Sequence, residues 1–458
     1  MTVYIGSRSR RSLLRIVFFL VTTFFLASLL RWIWKTYLVQ VTSIAYHYLW
    51  QWSLLPCGFL KTPFIQLIGT DSVMLMWETN CRFDDVQVFY ARKAAYRAGP
   101  KQQLRNDEGM EHRLAATSIE VLLTGKNRFT HRVYLTNLAT DSIYFYTVRL
   151  RPDEVSQLRR EKEDARGPSD ATPFTDSFYF PGDQVERVSL AILSDNHGGL
   201  NTFNQLLHSM MKHKPEIFVH VGDMVNDPSK AHEWQRYFFD SITRAGISDR
   251  IPSIIAMGNH DVGQFGPADY FAPSHQLGSA GAYHCALTLG PLRVIVVDST
   301  REEEAQMRWL EGELASGITQ RSTFRVVIIH FPPFIEFWDP KTWKIHVNQW
   351  SQMSRTRLIT MLEKNRVDLV LSGHQHNYQR GFRNGVHYIT CGGAGGQLDT
   401  ARVENHGVYK VTKFVNHFIS LHANSSLIEV NAYNVRNHRI DQLSIPKNVV
   451  RRYRAAEQ

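Results

Sequence analysis

Hydrophobic and polar positions fall into four regimes along the chain. The first is an uninterrupted apolar run, IVFFLVTTFFLASLL, from Ile16 to Leu30. The second, from about Pro63 to Gly182, holds the short stretches SVMLMWET, VQVFYAR, TSIEVLL, HRVYLTNL and IYFYTVRL. Their period-two spacing, or their enrichment in β-branched and aromatic residues, is that of half-buried strands. With no helical segments between them, they predict a β-sandwich with Trp77 as a core anchor. From Val188 the rhythm changes to strand, loop, helix. RVSLAILSD, EIFVHVGD, PSIIAMGNHD, LRVIVVDS, FRVVIIH and VDLVLSGH alternate with helical stretches near FNQLLHSMMKH, HEWQRYFFDSITRAG, EEAQMRWLEGELA and RTRLITMLEKN. Continuous apolar strands between amphipathic helices predict a layered α/β domain. From Gly385 strands return as GVHYITCGG, GVYKVTKF, HFISLHA and SLIEVNAYN, an antiparallel closing part that makes the sheets mixed.

These regimes divide the 458 residues into a basic start and anchor (1–37), a juxtamembrane segment (38–62), the sandwich (63–182), the α/β domain (187–445) and a basic tail (446–458). Such a length exceeds what one core usually serves. The apolar run is short against the roughly 20 residues of a spanning helix. Leu13, Leu14, Trp32, Ile33 and Trp34 extend it if Arg15 and Arg31 snorkel, and Trp32, Trp34 and Tyr37 then make an interfacial aromatic belt. Arg8, Arg10, Arg11 and Arg15 precede the run, so the positive-inside rule keeps the amino terminus cytoplasmic and carries the rest across. The expectation is a single-pass protein with its α/β domain extracytoplasmic; secretion after signal-peptide cleavage is the alternative. The sequon at Asn424 agrees with either.

The formal net charge of +10 suits an anionic partner, but no long Lys/Arg run of the nucleic-acid-binding type is present, and no nucleic acid is expected. Cys57, Cys81, Cys285 and Cys391 lie far apart without CxxC spacing, which argues against a disulfide framework or a thiolate metal site. Four separate thiols are expected, with a Cys57 to Cys81 bridge as the alternative.

The chemistry lies where the apolar strands end. AILSDNH, VHVGD, IIAMGNHD, VVIIH and LVLSGHQH supply, in order, Asp195, His197, Asp223, Asn259, His330, His374 and His376. Each block ends a buried strand and opens a loop, where open parallel sheets place their ligand sites. A lone Asp or His at a strand end is usually a cap; five successive blocks are hard to explain by packing. Two metals about 3.5 to 4 Å apart can share a hydroxide, aim it at phosphorus and neutralise the oxygens around it. That chemistry needs a bridging carboxylate and borderline imidazole ligands, and both are here. Two divalent ions against two carboxylates leave the site net positive, which attracts phosphate esters. His346, on the long aromatic loop 331–350, is a candidate substrate-pocket residue, and Asp261 is expected to orient its neighbours by hydrogen bonds without touching metal.

In this order, DxH, GDxx, GNHD, a strand ending in His, and GHxH resemble the calcineurin-like metallophosphoesterase superfamily over roughly 188–443. The resemblance implies that Asp195, His197 and His376 hold one metal, that Asn259, His330 and His374 hold the other, and that Asp223 bridges. It also implies His260 as the general acid over the leaving oxygen. The metals implied are iron, zinc, manganese or a similar ion. LTNLATDSIYFYTVRL, with Tyr144 and Tyr146, resembles the penultimate strand region of fibronectin type III domains, and the domain order with GGAGG at 392–396 is similar to purple acid phosphatases. Those enzymes have Gly where His197 stands and a ferric-ligating Tyr where Asn226 stands; the two changes compensate, and no tyrosinate colour is expected. The function implied is a phosphomonoesterase. Phosphodiesterase action on nucleotide, lipid or glycan phosphates, or an inert surface binding protein, are the alternatives.

Overall fold

A computed structural model describes residues 58–81, 83, 85–92, 112–115, 128–151, 173–262, 270–271, 283–301, 304–341 and 352–447, together with Ser28. The predicted anchor lies outside these residues except for Ser28, as do His346 and 448–458 of the tail. Among the described residues no helix is long and apolar enough to cross a membrane.

Seven strands make the first part: β1 (Phe59–Gly69), β2 (Ser72–Thr79), β3 (Asp85–Arg92), β4 (His112–Ala115), β5 (Phe129–Leu135), β6 (Ser142–Arg151) and β7 (Phe174–Phe180). The β4, β3, β6 and β7 strands form one antiparallel sheet in that order, and β1, β2 and β5 form the other layer's antiparallel run. The predicted strand TSIEVLL lies outside the described residues. Trp77 is fully buried and its ring stacks on His131 at 5.3 Å. The hydroxyl of Tyr144 accepts a 2.7 Å bond from the backbone N–H of Ala139, the corner that pins the entry to the penultimate strand of such sandwiches.

The second part continues with β8 (Arg187–Leu193), β9 (Ile217–His220), β10 (Ser253–Ile255), β11 (Cys285–Leu289), β12 (Leu292–Val297), β13 (Phe324–Ile329) and β14 (Leu369–Ser372). It closes with β15 (Tyr378–Arg383), β16 (Val386–Cys391), β17 (Tyr409–Lys413), β18 (His417–Asn424), β19 (Leu427–Asn434) and β20 (Arg439–Pro446). Between them lie α1 (Leu200–Met210), a helical stretch α2 over residues 231–244 with a π-turn at Trp234–Phe239, α3 (Glu304–Ala315) and α4 (Gln352–Lys364). The β8, β9 and β10 strands run parallel in a nine-stranded sheet, and β12, β13, β14 and β16 run parallel in a seven-stranded one. Every residue of β9, β12, β13 and β14 is buried, which is why these segments read as unbroken apolar runs.

Two boundaries differ from the sequence expectation. The first strand begins at Phe59, inside the segment read as juxtamembrane, because Phe64 and its neighbours pack inward and carry the pairing back to Phe59. The sandwich is also no separate module. Its β1 strand pairs in parallel with β10 at Gln66 and Ser253, so one sandwich layer continues the nine-stranded sheet. Phe64 packs edge-on against Phe238, Phe239 and Phe271, while Tyr146 donates to the carbonyl of Asp249 at 2.8 Å. The thiol expectation is corrected as well: Cys81 is disulfide-bonded, and Cys285 and Cys391 are free.

Candidate metal centre

The carboxyl ends of parallel strands from both large sheets converge on one place. Asp195 follows β8, Asp223 follows β9, Asn259 and His260 follow β10, His330 follows β13, and His374 and His376 follow β14. Asp195, Asp223 and His374 each turn out of their strand in the left-handed region, with φ of 64°, 58° and 66°. Non-glycine residues rarely adopt it, at a cost of roughly 1–3 kcal/mol each, and it concentrates where a side chain must be aimed. Backbone bonds hold the turns: Asp195 N–H donates to Gly222 O at 3.0 Å, and His374 N–H donates to the Asp195 carboxylate at 2.9 Å. The loops approach so closely that glycine is required. A Cβ on Gly258 would lie 2.2 Å from Asp223 Oδ1, and one on Gly396, in the GGAGG turn, would lie 2.6 Å from the His376 ring.

Ligand atoms gather in three overlapping groups, each with its atoms within 4.8 Å of one another: Asp195, His197 and His376; His197, Asp223 and His260; and Asp223, His330 and His374. Asp223 stands between the two sides. Its Oδ2 lies 3.3 Å from His330 Nε2 and 3.9 Å from His197 Nε2. Asn259 Oδ1 is 3.2 Å from His330 Nε2, which joins it to the third group.

The outer ring nitrogens decide whether this cluster suits metal. His330 Nδ1 faces the carbonyl of Val221 at 2.8 Å, His376 Nδ1 that of Gln397 at 2.7 Å, and His260 Nδ1 that of Asn226 at 2.9 Å. A carbonyl can only accept, so each Nδ1 carries the proton and donates it. The Nε2 of His330 and of His376 is then left to offer a lone pair inward, the arrangement by which metal-binding histidines are oriented. The residues fit two metal ions, with Asp223 shared.

Electrostatics agree. Although burial opposes charge, the His330 charge and hydrogen bond, with His260 and His197, hold the Asp223 carboxyl well below the usual carboxylate range. Burial likewise opposes protonation of His330 and His376, yet Asp223 and Asp195 outweigh it and raise each to about 9. Burial pushes His197 down, and burial with the neighbouring His330 charge pushes His374 far down. Two imidazolium charges thus balance the carboxylates in the metal-free protein, and loading must displace those protons.

Residues 188–378 match the family model described as calcineurin-like phosphoesterase. This chain carries a calcineurin-like phosphoesterase domain. Among curated relatives, an Arabidopsis thaliana protein named "Probable inactive purple acid phosphatase 24" is 23% identical over 44% of this chain and 37% of its own. The human serine/threonine-protein phosphatase CPPED1 is 24% identical over 45% of this chain and 68% of its own. The chain thus spans well under half of the plant relative and about two thirds of the human one. In fold, the purple acid phosphatase PPD1 from yellow lupin superposes with a TM-score of 0.65 at 16% identity, covering 85% of this chain and 74% of that one.

Several residues around the phosphoesterase site escaped the sequence reading. Asn226, noted there only as a departure from the purple enzymes, braces two histidines: its Oδ1 lies 3.0 Å from His197 Nδ1 and its carbonyl accepts from His260. The buried Glu233 in turn accepts from the N–H groups of Asn226 and Asp227 at 2.9 and 3.0 Å. Asp399 accepts from His376 N–H at 2.9 Å. Asp261, by contrast, was expected from the sequence to orient its neighbours by hydrogen bonds, and it accepts from the N–H groups of Asp223, Met224 and Gly258 at 2.7, 2.7 and 2.9 Å. Of the residues missed, only Asn226 lies close enough to a ligand motif for the sequence to have signalled it.

Proposed function

We propose that the chain is a dinuclear metal-dependent phosphoesterase that prefers phosphomonoesters. The observation that carries this reading is the inward set of Nε2 lone pairs around a shared Asp223, each fixed by a carbonyl behind it. Bound divalent ions would supply Lewis acidity and positive charge toward a phosphoryl group. Asp195, His197 and His376 would hold one, and Asn259, His330 and His374 the other. The carboxylates neutralise only part of that charge, so the site stays net positive and favours a dianionic monoester over a monoanionic diester. His260 does the chain's own proton work. Its Nδ1–H is spent on Asn226 O, its ring stacks on His197 at 4.6 Å, and its Nε2 is left to serve the leaving oxygen. Metal analysis of the purified protein, alongside nitrophenyl phosphate and bis-nitrophenyl phosphate, tests the reading. Two ions per chain with faster monoester turnover are expected; faster diester turnover overturns the monoester preference, and empty sites after growth in iron, zinc and manganese overturn the enzyme.

The placement we propose is extracytoplasmic, behind a single membrane pass. The basic start before the apolar run supports it, as do the Cys81 disulfide, a bond typical of oxidising compartments, and the exposed position of Asn424 at the β18 end. Protease treatment of sealed vesicles carrying a carboxy-terminal tag tests it; a tag protected together with cytosolic markers overturns it.

A further inference from the structure

The segment Phe331–Asp339 leaves β13 directly after His330 and lies along the metal cluster. Glu336 anchors it: this buried carboxylate accepts from Arg402 at 3.0 Å and from His406 N–H at 3.1 Å. Gln375, between the two histidines of GHQH, donates to Phe337 O at 2.6 Å, and Trp338 N–H donates to Ala401 O at 2.9 Å. Trp338 therefore has a fixed position. Its indole lies over the His374 ring with centroids 4.6 Å apart and planes 33° apart, while Phe331 closes the other side at 4.5 Å and 85°. His374 is left 6% exposed, but Trp338 itself is only half-buried. Its neighbour Asp339 is exposed and close enough to repel Asp399, which holds His376. The segment thus runs from one metal-binding histidine to the support of the other, with an indole at the rim.

We propose that Trp338 is a specificity-determining residue, an aromatic platform that favours phosphate esters bearing a planar aromatic group next to the phosphorus. The proposal rests on the phosphoesterase reading for the position of the phosphoryl group. A half-exposed ring beside a ligand of one metal flanks whatever substituent that phosphoryl group carries, and ring-on-ring contact selects planar groups. Arg402 adds no second anion site, because its guanidinium is paired with Glu336 and lies over the Phe337 ring at 4.8 Å. A neutral planar substituent is the class that fits.

Phosphonates separate recognition from turnover. Binding of phenylphosphonate and methylphosphonate to the metal-loaded full chain is measured by calorimetry, for the parent, Trp338→Leu and Trp338→Phe. The parent should bind the phenyl compound roughly 3- to 10-fold tighter, the range that aromatic pairing supplies. Trp338→Leu should level the two, and Trp338→Phe should keep most of the preference. An unchanged ratio in Trp338→Leu overturns the platform, and so does equal weakening of both compounds, which would make the ring a mere support for His374. Phenyl preference in a protein that hydrolyses no ester would overturn the hydrolytic reading and keep the platform; hydrolysis without phenyl preference does the reverse.

Discussion

Substituting Asp261 by Asn tests whether the bridging carboxylate is held by a buried anion behind it. Asp261 is fully buried and touches no other proposed ligand; it accepts three backbone N–H bonds, two on Oδ2 and one on Oδ1. Burial, followed by the Asp223 charge, pushes its carboxyl upward, while the N–H groups of Gly258 and Met224 pull it down. Because both oxygens accept, a proton on either would face an N–H, and bound cations would further favour the anion. Asn keeps one acceptor and brings an amide donor against a backbone donor. One charge-assisted bond is lost, worth about 1.5–3 kcal/mol, and the other two weaken to neutral strength, for a total of about 3–5 kcal/mol. That exceeds the roughly 1–3 kcal/mol stored in the left-handed turn at Asp223, so the turn can relax and swing its carboxylate. Metal affinity should then fall about 10- to 100-fold, as for other residues that orient ligands. Competition with a chromophoric chelator reads the affinity, and thermal unfolding of the metal-free protein reads the remaining cost. An Asn variant that binds metal within about 3-fold of the parent and melts at the same temperature would show that Asp261 is neutral and would refute the reasoning.

Two further predictions use groups around and away from the site. His260→Ala should keep both metals by elemental analysis while kcat falls roughly 100- to 10,000-fold; an unchanged kcat removes it from the chemistry. Burial holds His131 down at about 4, below the about 6.5 of the unfolded chain, so between those values the unfolded chain binds the extra proton and stability falls as pH falls. His131→Phe, which keeps the stack on Trp77, should therefore abolish about 2 kcal/mol of the stability lost from about pH 7 to about pH 5 in urea titrations. Identical pH dependence in both proteins would mean that His131 is not held neutral.

The legible parts of the fold were those whose signal lies in one segment. The strands β9, β13 and β14 are buried on every residue, so each reads as an apolar block, and each ends on a ligand because that is where the chain leaves the sheet. The pairing of β1 with β10 was not legible: it is a backbone contact at Gln66 and Ser253, and period-two spacing says nothing about which strand lies alongside. Strands β15, YQRGFR, and β20, RIDQLSIP, were missed because their exposed or polar positions hide the pattern. Asn226 shows the corresponding limit at the site. Its sequence position marked a departure, but its role depends on a 3.0 Å contact with a residue 29 positions earlier.

That contact also explains why the two departures from the purple enzymes occur together. The side chains at 197 and 226 share one corner of the site, so a ligand supplied from one position leaves the other free to brace it. Here the imidazole supplies the ligand atom, since His197 Nδ1 is turned to Asn226 Oδ1 and its Nε2 lies among Asp195, Asp223 and His376. A phenolate in that corner would bring a negative charge; the imidazole, which burial disfavours charging, brings none. A divalent ion beside a neutral imidazole carries the same net charge as a ferric ion beside a phenolate, so the exchange leaves the overall charge of such a centre unchanged. The site loses the hard anionic donor suited to a ferric ion, and borderline imidazoles are the natural ligands of divalent zinc, iron or manganese. Positions 197 and 226 thus act as a unit, the imidazole as candidate ligand and the amide as its brace.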